Sequence, residues 1–123
     1  RKYEDCIHLY TDGSKDGNKV GCAARGKSFN AVMRLPDKAS IFSAEIKAID
    51  SALSYISSNT NKKFIIFSDS LSVLLSLRNR NTDNLLIKNV TIKLHEILKV
   101  QFVYLEFLLS KNIKCSAPDQ YLT

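Results

Sequence analysis

The sequence contains few of the residues that mark several classes of protein. Only 4 glycines and 2 prolines occur in 123 residues, which excludes collagen-like and Pro/Gly-rich low-complexity chains. The three cysteines, Cys6, Cys22 and Cys115, are far apart and include no Cys-x-x-Cys pair, so the sequence indicates neither a disulfide framework nor a zinc site. No stretch approaches the apolar length that spans a bilayer. These absences predict a globular domain with free thiols and no membrane partner.

The chain also lacks the groups of several common catalytic sites. It has only two histidines, His8 and His95, and neither belongs to a credible Ser-His-Asp or Cys-His arrangement. We interpret both histidines as structural or solvated. A Gly-rich phosphate loop is missing, which argues against a nucleotide hydrolase of the P-loop class. Any catalysis must therefore depend on other side chains.

The beginning of the sequence gives an expectation about context. It has no methionine and no signal-peptide pattern of basic, apolar and small residues. We therefore expect this segment to be part of a longer protein. Together with the free thiols, the missing signal predicts an intracellular location, either nuclear or cytoplasmic.

Positive charge exceeds negative charge in this sequence. The chain carries 18 Lys and Arg against 12 Asp and Glu, which gives a net charge of +6. Such an excess favours a polyanionic partner such as nucleic acid. A solvated basic surface that binds nothing anionic is the alternative, because net charge alone does not identify a partner.

The pattern of apolar residues predicts one α/β domain over residues 1–109. Its elements come in the order three strands, helix, strand, one or two helices, strand, which predicts a mixed five-stranded sheet with helices packed on it. The first three strands form an antiparallel meander, and we expect the last two to be parallel. The predicted strands cover residues 6–11, 20–27, 30–35, 64–67 and 100–109, and the predicted helices cover residues 40–57, 71–77 and 85–99. Residues 110–123 have no periodicity and include Pro118, which predicts an irregular tail.

Three acidic residues interrupt or end apolar stretches that otherwise read as core. Asp12 and Asp69 follow predicted strands at their carboxyl ends, and Glu45 lies about 40° from Ile49, inside the apolar arc of the first helix. A carboxylate against a core is costly unless a cation or a hydrogen bond compensates it, so three converging carboxylates would form a metal site. The alternatives are a solvated rim position for Glu45 and a helix-capping role for Asp69 or Ser70.

Three motifs that contain these acids resemble a known family. They are Thr11-Asp12-Gly13-Ser14, the segment from Arg34 to Glu45, and Phe67-Ser68-Asp69-Ser70. In this order they resemble the ribonuclease H domain, in the version that non-LTR retrotransposon polyproteins carry beside their reverse transcriptase. The likeness covers residues 7 to about 105. Integrase-like enzymes resemble this architecture but place their Glu last, whereas here the Glu comes second.

The resemblance implies a function and a set of site residues. Members of this family are endonucleases that hydrolyse the RNA strand of RNA/DNA hybrids with two Mg²⁺ ions, for which Mn²⁺ can substitute. Carried over by motif, the catalytic metal ligands are Asp12, Glu45 and Asp69. Ser14, Ser43 and Ser70, which lie beside these acids, are predicted to contact nucleic acid through 2′-hydroxyl groups, and a cap or turn role is the alternative for each.

The sequence departs from the family after the last predicted strand. The family has a loop with a His and then a helix with a fourth acid, whereas residues 110–114 contain neither. Asp119 is the only acid beyond Glu106, and we do not expect it to be a ligand because it follows Pro118. We therefore expect the final helix to be missing and the second ion to bind weakly or not at all. The alternative function is a catalytically impaired remnant that binds nucleic acid or has a structural role in a larger protein.

Overall fold

The computed structural model describes residues 5–60, 62–79 and 81–108, and within them the chain forms one sheet with helices. The elements are β1 Ile7–Asp16, β2 Lys19–Gly26, β3 Phe29–Leu35, α1 Ile41–Ser57, β4 Lys63–Ser68, α2 Leu71–Ser76, α3 Leu85–Leu98 and β5 Phe102–Phe107. The strand order is β3-β2-β1-β4-β5. Strands β1, β2 and β3 pair antiparallel, and β4 pairs parallel with both β1 and β5. The predicted fold class is confirmed, while the irregular tail and the missing final helix lie outside the described residues.

The first hairpin connects β1 to β2 through a two-residue turn. The pairing extends to Asp16↔Lys19, and Gly17 has a φ of 62°. That left-handed conformation is the one that a tight hairpin turn requires and that glycine adopts without strain. The turn allows β1 to extend well past the point where its other neighbour ends.

Helix α1 packs against the sheet through the apolar arc that its sequence predicts. Ser40 is its N-cap, with its hydroxyl accepting a hydrogen bond of 3.0 Å from the backbone N–H of Ser43. The fully buried residues Ile49 and Leu53 of α1 join Leu9 of β1 and Ile66 of β4 in the main core. Because the helix is held by this core, its first turn lies over β1 and β2, where Glu45 is placed.

The predicted end of the first strand is wrong. The sequence predicted that the strand stops at Thr11 with Asp12 at its carboxyl end, but β1 continues through Asp12 to Asp16. The reason is that β1 has two neighbours of different length. Its parallel pairing with β4 ends at Thr11↔Ser68, whereas its antiparallel pairing with β2 continues to Asp16↔Lys19. Asp12 therefore lies inside a strand, one residue beyond the last pair with β4.

Strand β5 lies at the outer edge of the sheet and is shorter than the predicted segment 100–109. It carries apolar side chains that are well exposed, with Phe102 62% exposed and Phe107 43% exposed. An exposed apolar edge of this kind is a place where a sheet can pair with another chain. Among the described residues, no helix combines the length and the apolar character that crossing a membrane requires.

Candidate metal centre

The structure brings the three predicted acids together. One carboxylate oxygen each from Asp12, Glu45 and Asp69 lies within 4.8 Å of the other two. Asp12 is only 4% exposed, and Glu45 and Asp69 are half-buried. Residues separated by as many as 57 positions in the sequence thus form one acidic cluster at the carboxyl end of β4.

Two of these acids meet because of strand register. Thr11↔Ser68 is the last pair of the parallel β1/β4 ladder, and Asp12 and Asp69 are the residues that follow the two members of this pair. Parallel strands bring residues at the same level side by side, so both carboxylates emerge at the same place. This is the edge of an α/β sheet at which ligands are usually bound.

Glu45 reaches the same place because α1 approaches β1 closely at Gly13. The backbone N–H of Gly13 donates a hydrogen bond of 2.6 Å to Oε1 of Glu45. A Cβ atom at Gly13 would lie 2.8 Å from the backbone nitrogen of Glu45 and 3.0 Å from the Cβ of Ala44. Only glycine permits this distance, so the glycine of the Thr11-Asp12-Gly13-Ser14 motif sets where the Glu45 carboxylate lies.

Sequence reasoning missed two buried hydroxyl groups beside the acids. Thr11 is 1% exposed and Ser68 is 0% exposed. The Thr11 hydroxyl donates a hydrogen bond of 3.1 Å to the carbonyl oxygen of Phe67, and the Ser68 hydroxyl accepts one of 3.1 Å from the backbone N–H of Ser70. The available signal was a hydroxyl residue immediately before each acid in an otherwise apolar strand.

The three predicted serine contacts differ in their local bonding. The Ser14 hydroxyl is buried and has no hydrogen-bond partner within the described part of the chain. Ser43 accepts a hydrogen bond of 3.0 Å from the Ser40 hydroxyl as part of the α1 cap. Ser70 occupies the N-cap position of α2 without a side-chain capping bond, and its hydroxyl lies 3.4 Å from that of Ser72. Ser70 therefore occupies the helix-capping position that the sequence offered as an alternative role, but its side chain does not form the capping hydrogen bond.

The donor set of the cluster has a clear metal preference. All three residues offer carboxylate oxygens, which hard cations such as Mg²⁺ and Mn²⁺ favour, and the cluster contains no Cys or His, which zinc favours. Three like charges this close repel one another, and a divalent cation relieves that repulsion. The residues present therefore fit a magnesium or manganese site, and their role as ligands stays a prediction.

Nearby thiol and imidazole groups do not add to this donor set. Cys22 pairs with Gly13 across β1 and β2, and burial, together with the nearby Glu45 charge, raises its pKa to about 11, although Lys47 opposes the shift. Its thiol therefore stays protonated at neutral pH. His8 packs edge-on against Phe67 with ring centroids 5.4 Å apart, and His95 is exposed near the end of α3. Neither histidine is part of the acidic cluster.

Comparison with known proteins identifies the family. The model of the reverse transcriptase-like family matches residues 19–114. The chain belongs to the reverse transcriptase-like family. The matched segment includes Glu45 and Asp69, whereas Asp12 lies before it. No curated protein sequence matches the chain.

Two solved structures have the same fold. Ribonuclease H1 from the halophilic archaeon Halobacterium salinarum aligns with a TM-score of 0.65 and 18% identity over 86% of this chain and 87% of that one. The ribonuclease H1 named LC11, isolated from compost by a metagenomic approach, aligns with a TM-score of 0.73 and 16% identity over 96% of both chains. At these identities the likeness shows the fold alone, which is that of ribonuclease H.

Proposed function

We propose that this protein is a divalent-metal-dependent endonuclease that hydrolyses the RNA strand of RNA/DNA hybrids. The observation that carries the proposal is the convergence of Asp12, Glu45 and Asp69, with one oxygen of each within 4.8 Å of the others. The family match and the ribonuclease H-like fold support it. The cofactor proposed is Mg²⁺, with Mn²⁺ as a substitute.

The three carboxylates would hold the cation, and Gly13 would hold one of the carboxylates. When bound, divalent cations supply Lewis-acid activation of water and stabilisation of the leaving oxygen in phosphodiester hydrolysis. The Gly13 N–H bond fixes Oε1 of Glu45, and this bond places the Glu45 carboxylate beside the two aspartates. Asp119, the remaining candidate for a fourth ligand, lies outside the described residues. Three carboxylates are enough to hold one Mg²⁺, and we expect a second ion to bind more weakly.

Substrate recognition is proposed to combine general charge with local hydroxyl contacts. A net charge of +6 attracts the phosphate backbone. Ser14, Ser43 and Ser70 are all kept as proposed 2′-hydroxyl contacts. The Ser14 hydroxyl is buried, so it reaches a substrate only if the surrounding side chains move, and the hydroxyls of Ser43 and Ser70 each lie against another serine.

The biological context proposed is a retrotransposon polyprotein. The family name refers to reverse transcriptase, and the sequence motifs resemble the ribonuclease H domains found beside that enzyme. In such a polyprotein the chain would act inside the cell, in the nucleus or the cytoplasm, on hybrids made by reverse transcription.

A hybrid-cleavage assay with matched variants tests the proposal. The wild-type chain is expected to cleave the RNA strand of a hybrid in Mg²⁺. The cleavage rate of Asp69→Asn is expected to fall at least about 100-fold, because loss of a residue that only supports a metal ligand already costs up to about 100-fold. Asp83→Asn is the matched control, because Asp83 is an exposed carboxylate in the loop before α3. Equal cleavage by the wild type and Asp69→Asn would contradict the proposal.

A catalytically impaired remnant is the second candidate function. The observation that favours it is the composition of residues 110–123, which contain no histidine and a single acid, Asp119, directly after Pro118. Such a protein would bind hybrids and show no metal-dependent cleavage at any Mg²⁺ or Mn²⁺ concentration. A binding assay run beside the cleavage assay separates the two candidates.

A further inference from the structure

We propose that the buried hydroxyl groups of Thr11 and Ser68 are positioning groups that set the relative placement of the Asp12 and Asp69 carboxylates. The inference rests on the proposed function, because it concerns the same two ligands. Thr11 and Ser68 face each other as the last pair of the β1/β4 ladder. Each immediately precedes one of the two acids.

Both hydroxyls lie where a strand would ordinarily carry an apolar side chain. Thr11 and Ser68 are at most 1% exposed, and their strand neighbours Leu9 and Ile66 are fully buried core residues. Burial of a hydroxyl costs free energy unless it is hydrogen-bonded, and central strands favour Val and Ile. Two buried hydroxyl groups at the same level of the core are therefore unfavourable unless they form hydrogen bonds, and both of them do.

The Thr11 hydroxyl joins the two strands at the point where their ladder stops. Beyond Thr11↔Ser68 the strand β4 ends, while β1 continues with β2 as its partner. Oγ1 of Thr11 donates to the carbonyl oxygen of Phe67, at 3.1 Å. The bond therefore ties the backbone before Asp12 to the backbone before Asp69, and it limits how far the two acids can separate.

The Ser68 hydroxyl fixes the turn that contains Asp69. Its Oγ accepts from the backbone N–H of Ser70, at 3.1 Å. This bond spans Asp69, so it holds the chain direction between β4 and α2 on both sides of the acid. Thr11 thus restrains the distance between the strands, and Ser68 restrains the direction in which the Asp69 carboxylate points.

These restraints matter because the three carboxylates repel one another and because Mg²⁺ tolerates little change in the positions of its ligands. Carboxylates within 4.8 Å of one another push apart when no cation is bound. Mg²⁺ requires near-ideal octahedral geometry, so small displacements of its ligands weaken it. Loss of a supporting bond at a metal site typically reduces affinity by about 10–100-fold.

Titration calorimetry with Mn²⁺ and with Mg²⁺ on the full chain tests the proposal. Thr11→Val removes the hydroxyl and keeps the shape, and Thr11→Ser keeps the hydroxyl. We expect Thr11→Val to bind at least about tenfold more weakly and Thr11→Ser to bind with nearly wild-type affinity. Equal affinity in the wild type and Thr11→Val would overturn the inference and leave the proposed function standing. Absence of cation uptake by the folded wild type would overturn both.

A stability control separates positioning from general loosening of the fold. Ile56→Val shortens a fully buried side chain about 16 Å further along α1 than Glu45, so it lowers the melting temperature without touching the acids. Its cation affinity is expected to match the wild type, and a loss as large as that of Thr11→Val would refute the positioning role. Ser68→Ala provides the same test should Thr11→Val fail to fold. In the cleavage assay Thr11→Val and Ser68→Ala are each expected to lower kcat and to leave the KM for the hybrid unchanged.

Discussion

The two ends of the central parallel strands arrange their charges in opposite ways. At the amino end, Nζ of Lys63 lies 3.0 Å from an oxygen of Asp5, and both side chains are well exposed. At the carboxyl end, three carboxylates lie within 4.8 Å of one another around the buried Asp12. The exposed pair carries its own countercharge, whereas the acidic cluster concentrates one sign of charge. The sign of the neighbouring charges and the degree of burial, more than residue type, therefore distinguish a surface ion pair from a candidate metal site.

Removing a carboxylate should therefore have a large effect at the acidic cluster and almost none at the exposed pair. Asp12→Asn is expected to abolish cation binding and reduce hybrid cleavage by at least about 100-fold. In the absence of metal it should stabilise the fold by about 1 kcal/mol, because it relieves like-charge repulsion. Urea unfolding in EDTA measures the stability. A less stable Asp12→Asn protein would show that the cluster is not strained without metal.

The close approach of α1 to β1 gives the next largest effect. Gly13→Ala would place its Cβ 2.8 Å from the Glu45 backbone nitrogen, and such overpacking is expected to cost about 2 kcal/mol and to shift Glu45. Gly17→Ala is the matched control, since nothing lies within 4 Å of its Cβ and only the φ of 62° opposes it, at about 1 kcal/mol. A smaller loss for Gly13→Ala than for Gly17→Ala would contradict the role given to this contact.

The buried thiol near the cluster predicts a pH dependence at alkaline pH. Burial raises the pKa of Cys22 to about 11 from an ordinary value of 9.0, so the folded state keeps a proton that the unfolded state loses. This contribution to stability is complete below pH 9 and is lost as the pH rises from about 9 to 11, by roughly 2 kcal/mol in all. Urea unfolding at pH 8, 9.5 and 11 measures it. In Cys22→Ala the decline over this interval should be shallower, and an identical decline would rule Cys22 out as its source.

The exposed pair should give the smallest effect. The hydrogen bond from Lys63 and the positive charge of Lys63 lower the pKa of Asp5. Any contribution of the pair to the stability of the fold is therefore present above the ordinary aspartate pKa and is lost as the pH falls. Because solvent and salt screen an exposed pair, Asp5→Asn is expected to leave the melting temperature and the cleavage rate unchanged. A loss comparable to that of Gly13→Ala would remove the contrast between the two ends of the strands.

The sequence predicted well the features that local signals determine. The α1 start follows from Ser40 and the apolar arc, and the capping bond to the Ser43 N–H is present. The apolar run Phe64-Ile65-Ile66-Phe67 is typical of a central strand that is buried on both faces. Phe64, Ile65 and Ile66 are fully buried, whereas Phe67 is half-buried. Each of these features depends on neighbours only a few residues away in the sequence.

The features that the sequence did not predict depend on register between distant segments. The end of β1 was placed too early because its length is set by pairing with β2, which continues after β4 has ended. The Thr11 bond to Phe67 spans 56 positions and the Gly13 bond to Glu45 spans 32. No local pattern identifies the distant partner in such a contact. The three acids could be predicted because a carboxylate within an apolar segment is unusual, and recognising it does not require the register of the strands.

Paramagnetic Mn²⁺ titration followed by amide NMR tests the central claim most directly, because it locates the bound ion. Our account predicts that substoichiometric Mn²⁺ first broadens the amide signals of Gly13, Glu45 and Ser70, that Mg²⁺ in excess restores them, and that Asp12→Asn abolishes the effect. Signals that broaden first around Asp5 and Lys63, or no selective broadening in the folded wild type, would contradict the claim that the three carboxylates form a divalent-cation site.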